Sequence, residues 1–330
     1  MARDRGYVLI SPCRNEAGYM RQTLDSVLAQ TTPPSKWIIV DDGSTDATPQ
    51  ILAEYAARHP FIEVVTLADR GHRQVGPGVV NAFYAGYAHV PAGQYEFLCK
   101  LDLDLRLPPR YFEILIGRMN ADRRIATCSG KAYIDVDGTL VNEHHGDETS
   151  LGMTKFYRSA AFELVGGFVR EVMWDGIDCH RCRMEGMIAV SWDEPDLRFV
   201  HLRPMGSSQT GILTGRARHG YGQYFMGTSL LYQSLSALSR ARERPYVIGS
   251  LAMIWGWVRS AVASLPRYDD LEFRKFLRRY QRLAMRLGKQ RAAESMRRER
   301  VRDGFVGVVC CAASLGSSVR WDRGTPRRWR

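Results

Sequence analysis

Short unbroken apolar runs alternate with stretches in which apolar residues recur at helical spacing. Tyr7-Val8-Leu9-Ile10-Ser11-Pro12 is a continuous run closed by proline, the pattern of a strand covered on both faces. After Arg14-Asn15-Glu16-Ala17, Leu24, Val27 and Leu28 return every three or four residues, so a helix is expected to open there and to end before Pro33-Pro34. Trp37-Ile38-Ile39-Val40 repeats the strand pattern and runs into an acidic, glycine-containing turn. Ser44 or Thr45 there can cap a helix with Ile51, Leu52, Tyr55 and Ala56 on one face. Phe61-Ile62-Glu63-Val64-Val65 predicts a third strand, 79–89 a helix, and Phe97-Leu98-Cys99-Lys100-Leu101 a fourth strand, stopped by Pro108-Pro109. This order predicts an α/β domain built on a doubly wound sheet.

Beyond residue 124 the alternation loosens. Residues 125–134 read as one strand, Asp137-Gly138 as a turn, and 153–158 as a further strand feeding a helix at 159–165 closed by Gly166-Gly167. Trp174-Asp175-Gly176-Ile177-Asp178 reads as an acidic string ahead of a helix at 179–185. Residues 207–222, polar, glycine-rich and basic, predict a mobile loop over a site, and the chain then reads as helical to about 296. The domains expected are 1–222, with halves meeting near 110, a basic helical region at 223–300, and a disordered tail at 301–330.

Composition changes this picture in one respect. The net charge is +11, and from Arg267 onward Arg and Lys far outnumber acids, which favours an anionic partner. Residues 246–265 are apolar apart from Arg259 and carry two Trp, which predicts a buried or membrane-surface helix more than a membrane span. The seven cysteines form no disulfide framework, and Cys179-His180-Arg181-Cys182 has no second pair to complete a zinc site. The N-terminus enters a strand with no signal-peptide pattern, so a cytoplasmic protein is expected, peripheral on the inner face of the membrane.

The candidate chemistry lies at strand ends. Asp102 and Asp104, spaced i, i+2 at the mouth of the fourth strand, leave one face together and repel each other unless a cation lies between them. Hard carboxylate oxygens suit Mg²⁺ or Mn²⁺ bridging a phosphorylated ligand. No G-x-G-x-x-G follows the first strand and no P-loop string is present, which argues against a dinucleotide or ATPase site.

Ser11-Pro12-Cys13-Arg14-Asn15-Glu16, Val40-Asp41-Asp42-Gly43-Ser44-Thr45-Asp46, Leu101-Asp102-Leu103-Asp104 and Trp174-Asp175-Gly176-Ile177-Asp178 together resemble, in order and spacing, the family 2 glycosyltransferases. The resemblance covers residues 7 to 205, and Gly215 to Gly222 with Trp255-Gly256-Trp257 resembles a bacterial polysaccharide-assembly branch. It implies the GT-A fold, a Rossmann-like mixed sheet with helices on both faces. It also implies transfer of one sugar from a UDP, GDP or dTDP donor to a glycan or lipid-linked hydroxyl, in exopolysaccharide or lipid-linked oligosaccharide assembly. On this likeness Pro12, Arg14 and Glu16 border the nucleotide, Asp42 accepts a hydrogen bond from the base, Asp102 faces ribose or metal, and Asp104 holds the metal with His201. The family string is closer to D-A-D-D, and Leu105 stands here in place of the last acid.

Inversion needs a base for the acceptor hydroxyl. The acidic string before a helix implies Asp178 in that role, with Asp175 as the second choice. The likeness leaves Lys100 and Arg73 as diphosphate contacts without a specific signal, and Arg181 and Arg183 read as solvated helix residues. Absence of a Q-x-x-R-W string at Gln209-Thr210-Gly211 argues for non-processive transfer. Two rival readings are a sugar-phosphate nucleotidyltransferase, which wants a basic glycine-rich loop after the first strand, and a nucleic-acid-binding module, for which no aromatic platform is visible.

Overall fold

A computed structural model describes residues 4–72, 74, 76–203, 211–241 and 245–302. They divide into two units: the described residues up to Cys182 with those from Ile188 to Arg203, and Arg183–Met187 with those from Gly211 onward.

The first unit runs β1 (Asp4–Cys13), α1 (Met20–Leu28), β2 (Lys36–Asp41), α2 (Thr48–Arg58), β3 (Ile62–Thr66), α3 (Pro77–Tyr87) and β4 (Tyr95–Leu101). It continues with β5 (Leu105–Arg106), α4 (Tyr111–Ala121), β6 (Ile125–Ser129), β7 (Lys131–Val136), β8 (Thr139–Asn142), β9 (Thr154–Arg158) and α5 (Ser159–Leu164). Then come α6 (Trp174–Met184), β10 (Ile188–Ser191) and β11 (Arg198–His201). Seven strands form a sheet in the order β10-β6-β9-β4-β1-β2-β3, all parallel to their neighbours except β9, which runs antiparallel to β4 and β6. The apolar runs lie where continuous hydrophobicity demands: Val8 to Ile10 and Trp37 to Val40 are fully buried. Tyr7, Phe97, Phe112 and Phe156 interlock beneath them, with Tyr7 and Phe112 ring centres 4.8 Å apart. From β1 the chain goes to β2 on one side and returns as β4 on the other, so the carboxyl ends of β1 and β4 form a topological switch point.

The stretch at 125–134 is two strands in two sheets. β6 joins the large sheet, and after Gly130 the chain enters β7 of a smaller sheet ordered β5-β11-β7-β8. The break is steric: a Cβ on Gly130 would stand 1.8 Å from the Leu197 carbonyl oxygen. The Asp137-Gly138 turn joins β7 to β8 as expected, with φ of 53° and 81° at the two residues. The first helix opens at Met20, later than the pattern suggested. Asn15, at φ 55°, and Glu16 form a turn tied to the β2–α2 loop, where the Asn15 N–H donates to Ser44 Oγ and the Glu16 N–H to Thr48 Oγ1, each at 2.9 Å.

The second unit holds α7 (Ile212–Met226), α8 (Leu230–Ser239), α9 (Tyr246–Val262), α10 (Leu271–Leu287) and α11 (Lys289–Arg302). Ser229 caps α8, accepting from the Tyr232 N–H at 3.3 Å, and Asp270 caps α10, accepting from the Phe273 N–H at 2.8 Å. From Ile212 the expected loop at 207–222 is helix, because α7 packs against α9 through glycine. A Cβ on Gly220 would stand 2.1 Å from Met253 O, and one on Gly256 2.0 Å from Ala217 O. The units therefore part between 203 and 211, ahead of the expected 222. Among the described residues no helix is long and apolar enough to cross a membrane. The tail from 303, Arg73, Gln209 and Thr210 lie outside the described residues.

Candidate active site

At the end of β1, Pro12 lies beside Val40 of β2, and the Asp42 N–H donates to Cys13 O at 2.8 Å. Asp42 is buried and ion-paired with Arg70, and burial raises its carboxyl against the pull of Arg70 and Arg14. Arg14 donates to the Asp42 carbonyl oxygen and reaches Asp69 Oδ1 at 2.5 Å. The structure thus joins Arg14 and Asp42 into one cluster and adds Asp69 and Arg70. No motif had singled these out, since they lie in the irregular loop after β3.

At the end of β4, the Asp102 N–H donates to Met153 O at 2.8 Å and the half-buried carboxylate pairs with Lys100. Asp104 is buried, and its Oδ2 lies 2.6 Å from Arg203 Nε and 3.6 Å from His201 Nε2. β5 and β11 create this approach by pairing Leu105 with His201. His201 Nδ1 meets Glu143 Oε2 at 3.0 Å, and Arg203 also reaches Glu16 Oε1 at 2.8 Å. Burial works to lower the His201 imidazolium, but the two carboxylates outweigh it and push its pKa up to about 9. Burial works to raise Asp104, but His201 and Arg203 bring it down to about 2. Arg203 thus brings Glu16 and Asp104 together, and Glu143 stands behind His201; no sequence pattern marked Arg203 or Glu143.

These residues fit a divalent ion of the kind that keeps water and substrate phosphate as ligands. Among the described residues no three His, Cys, Asp or Glu converge as a full cage. Asp104 and, once a metal displaces its Nε2 proton, His201 would supply two donors, and a carboxylate on the far nitrogen of the imidazole is the usual second support of a metal-bound histidine.

The two aspartates of the Trp174 string separate in kind. α6 begins at Trp174, so Asp178 stands in its second turn rather than ahead of it. Asp178 is buried, with Lys155 Nζ 2.6 Å from Oδ1, the Cys179 N–H 2.7 Å from the same oxygen, and the Tyr157 hydroxyl 2.5 Å from Oδ2. The expected base is therefore enclosed by protein donors, a geometry that suits a structural ion pair. Burial works to lower the Lys155 ammonium, but the Asp178 charge outweighs it, and Lys155 stays protonated well above its ordinary range. Asp175, in the first turn, is only partly buried. Gly152 makes room for it: a Cβ there would stand 2.8 Å from Asp175 Oδ2 and 3.2 Å from the Trp174 ring. Trp174 in turn carries Lys100 Nζ 5.3 Å and Lys155 Nζ 5.6 Å from its ring centre. Arg181 and Arg183, expected on a solvated face, are buried, and Arg181 donates to Val165 O at 3.0 Å.

The sequence and the fold have counterparts among known proteins. The sequence profile of glycosyl transferase family 2 matches residues 8–174, about half of the chain. The chain belongs to that family. This family 2 glycosyltransferase is 33% identical over 99 residues to the poly-beta-1,6-N-acetyl-D-glucosamine synthase of Staphylococcus epidermidis, covering 30% of this chain and 22% of that protein. It is 27% identical over 161 residues to the putative glycosyltransferase EpsH of Bacillus subtilis, covering 49% and 43%. An uncharacterised protein of Mycobacterium tuberculosis, Rv1520, is 40% identical over 95 residues, 28% of this chain and 26% of its own length. The matched segments thus span less than half of these relatives.

Among solved structures, residues 1–349 of S. aureus TarS in complex with UDP-GlcNAc superpose with a TM-score of 0.51 at 16% identity, covering 91% of this chain and 92% of that one. GalNAc-T7 with UDP, GalNAc and Mn²⁺ gives 0.51 at 13% identity, covering 78% and 57%. The likeness is one of fold, and the fold of the glycosyltransferase is GT-A, an α/β mixed sheet with helices packed around it. The nucleotidyltransferase and nucleic-acid-binding readings find no support beside the family match.

Proposed function

We propose that the protein transfers one sugar, with inversion and without processive elongation, from a nucleoside-diphosphate sugar to a hydroxyl of a glycan or lipid-linked acceptor. The observation that carries this reading is the meeting of Glu16, Asp104, His201 and Arg203 at the switch point of the sheet, with Asp42 and Asp102 at the ends of neighbouring strands. Asp42 accepts from a ring N–H of the base, as an ionised carboxylate can only accept. Pro12, Arg14 and Glu16 border the nucleotide and Asp102 faces the ribose. Asp104 and His201 would hold Mg²⁺ or Mn²⁺, which when bound neutralises the diphosphate as it leaves.

Asp175 takes the role of base in place of Asp178. Its carboxylate is partly exposed beside Trp174, whereas both oxygens of Asp178 are engaged by buried donors. In the displacement the acceptor oxygen bonds to the anomeric carbon as the bond to the diphosphate breaks, and Asp175 receives the hydroxyl proton. The similarity to a poly-beta-1,6-N-acetyl-D-glucosamine synthase and the basic second unit support work in polysaccharide assembly at an anionic membrane surface, on its inner face. The test is nucleoside diphosphate release from UDP-, GDP- and dTDP-sugars with Mn²⁺ or Mg²⁺. Release from one donor that disappears in Asp104→Ala and Asp175→Asn upholds the reading. Absence of both release and calorimetric binding across the panel overturns it.

A further inference from the structure

The second unit presents an apolar stripe to solvent. On α9, Val247, Ile248, Leu251, Trp255 and Val262 are all exposed, with Leu251 at 59%, Trp255 at 62% and Val262 at 82% of full exposure. At helical spacing these positions fall within about a third of the circumference, so they form one line along the helix. The opposite side of α9 is committed. Gly249, Met253, Gly256 and Ser260 are buried, Ser250 Oγ donates to Ala237 O of α8 at 2.7 Å, and the glycine contacts bring the α7 backbone against it. Leu231 and Leu238 of α8 are also exposed. A solvent-facing line of this size on a highly charged unit marks a contact surface.

Charge identifies the occupant. Residues 211–302 carry 19 Lys and Arg against 6 Asp and Glu, while residues 1–210 carry 22 against 27. The positive charge of the chain is therefore concentrated in the unit that bears the stripe, and Arg259 is exposed on α9 itself. A second copy of the chain would bring an equally basic unit to the contact. An anionic bilayer instead supplies both an apolar interior for Leu251 and Trp255 and phosphate headgroups for the arginines. The helix is too short to cross such a bilayer: its 17 residues rise about 26 Å, short of a hydrocarbon core of roughly 30 Å.

We infer that the exposed line of α9, centred on Leu251 and Trp255, is the surface by which the protein docks on anionic lipid. This rests on the membrane-surface part of the reading above and assigns it to a named face. The experiment is flotation of the full chain with phosphatidylcholine vesicles, with and without an equal part of phosphatidylglycerol, at low and high salt. The wild type and a Leu251→Glu/Trp255→Glu variant are compared. The expected result is flotation of the wild type with the anionic vesicles, weakened by salt, and a loss of about tenfold in the variant. Circular dichroism and calorimetric donor binding should be unchanged by the exposed substitutions. Independently of any folding defect, quenching of tryptophan fluorescence by brominated lipid should fall in Trp255→Phe. Equal flotation of wild type and variant, or unchanged quenching, overturns the assignment to this face while keeping the membrane reading. No flotation of the wild type at low salt overturns the membrane reading itself. A change of oligomeric state in the variant by light scattering reassigns the face to self-association and overturns the lipid proposal.

Discussion

Lys100 of β4 and Lys155 of β9 stand directly opposite each other in an antiparallel pair, both buried, with the Trp174 ring within reach of both ammonium groups. Two like charges at such a position destabilise a sheet unless each is answered. Here Asp102 answers Lys100 and Asp178 answers Lys155, so two aspartates of the sequence motifs are tied to one lysine pair.

Removing half of the second pair should therefore act on stability. Lys155→Met leaves the Asp178 charge buried without its cation, at a cost of about 3–5 kcal/mol. Urea unfolding measures this, and replacing both residues with apolar ones should cost less than Lys155→Met alone. If Lys155→Met unfolds at the wild-type midpoint, the ion pair does not hold β9 to α6.

The two aspartates of α6 should separate by phenotype. Asp175→Asn is expected to lower kcat about a hundredfold or more, with the melting temperature and the donor KM nearly unchanged. Asp178→Asn is expected to lower the melting temperature instead, since it leaves Lys155 uncompensated. The reverse pattern would return the base to Asp178.

Glycines at the site and at the sheet junction should differ in the same way. Gly152→Ala places a methyl group 2.8 Å from Asp175 Oδ2 and should reduce kcat about ten- to a hundredfold with little change in folding. Gly130→Ala meets the Leu197 backbone oxygen, which cannot rotate away, and should destabilise by about 2 kcal/mol or more. Thermal melts of both variants beside their turnover settle the contrast.

Chelation should abolish nucleoside diphosphate release, and added Mn²⁺ or Mg²⁺ should restore it. Glu143→Gln, which loosens the support of His201, should raise the metal concentration needed for half-maximal rate by about tenfold. Full turnover in the presence of a chelator would remove the metal from the mechanism.

Unbroken apolar runs fix β1, β2 and β4 in the sequence, because a strand buried on both faces tolerates almost nothing else, and helical spacing fixes the amphipathic elements between them. The acids at strand ends were legible for the same reason, since turn residues after a buried run mark the carboxyl edge where ligands bind. Other features depended on contacts between residues far apart in the chain. The partition of 125–134 between two sheets rests on Gly130 meeting Leu197. The start of α6 at Trp174 turned Asp178 from a string residue into the partner of Lys155. Arg203 and Glu143 join the site because β5, β11 and β7 pair. Local pattern reports which face of an element is apolar. Only tertiary packing decides which charge each buried charge meets, and so why both oxygens of Asp178 are taken by buried donors while Asp175 stays partly exposed.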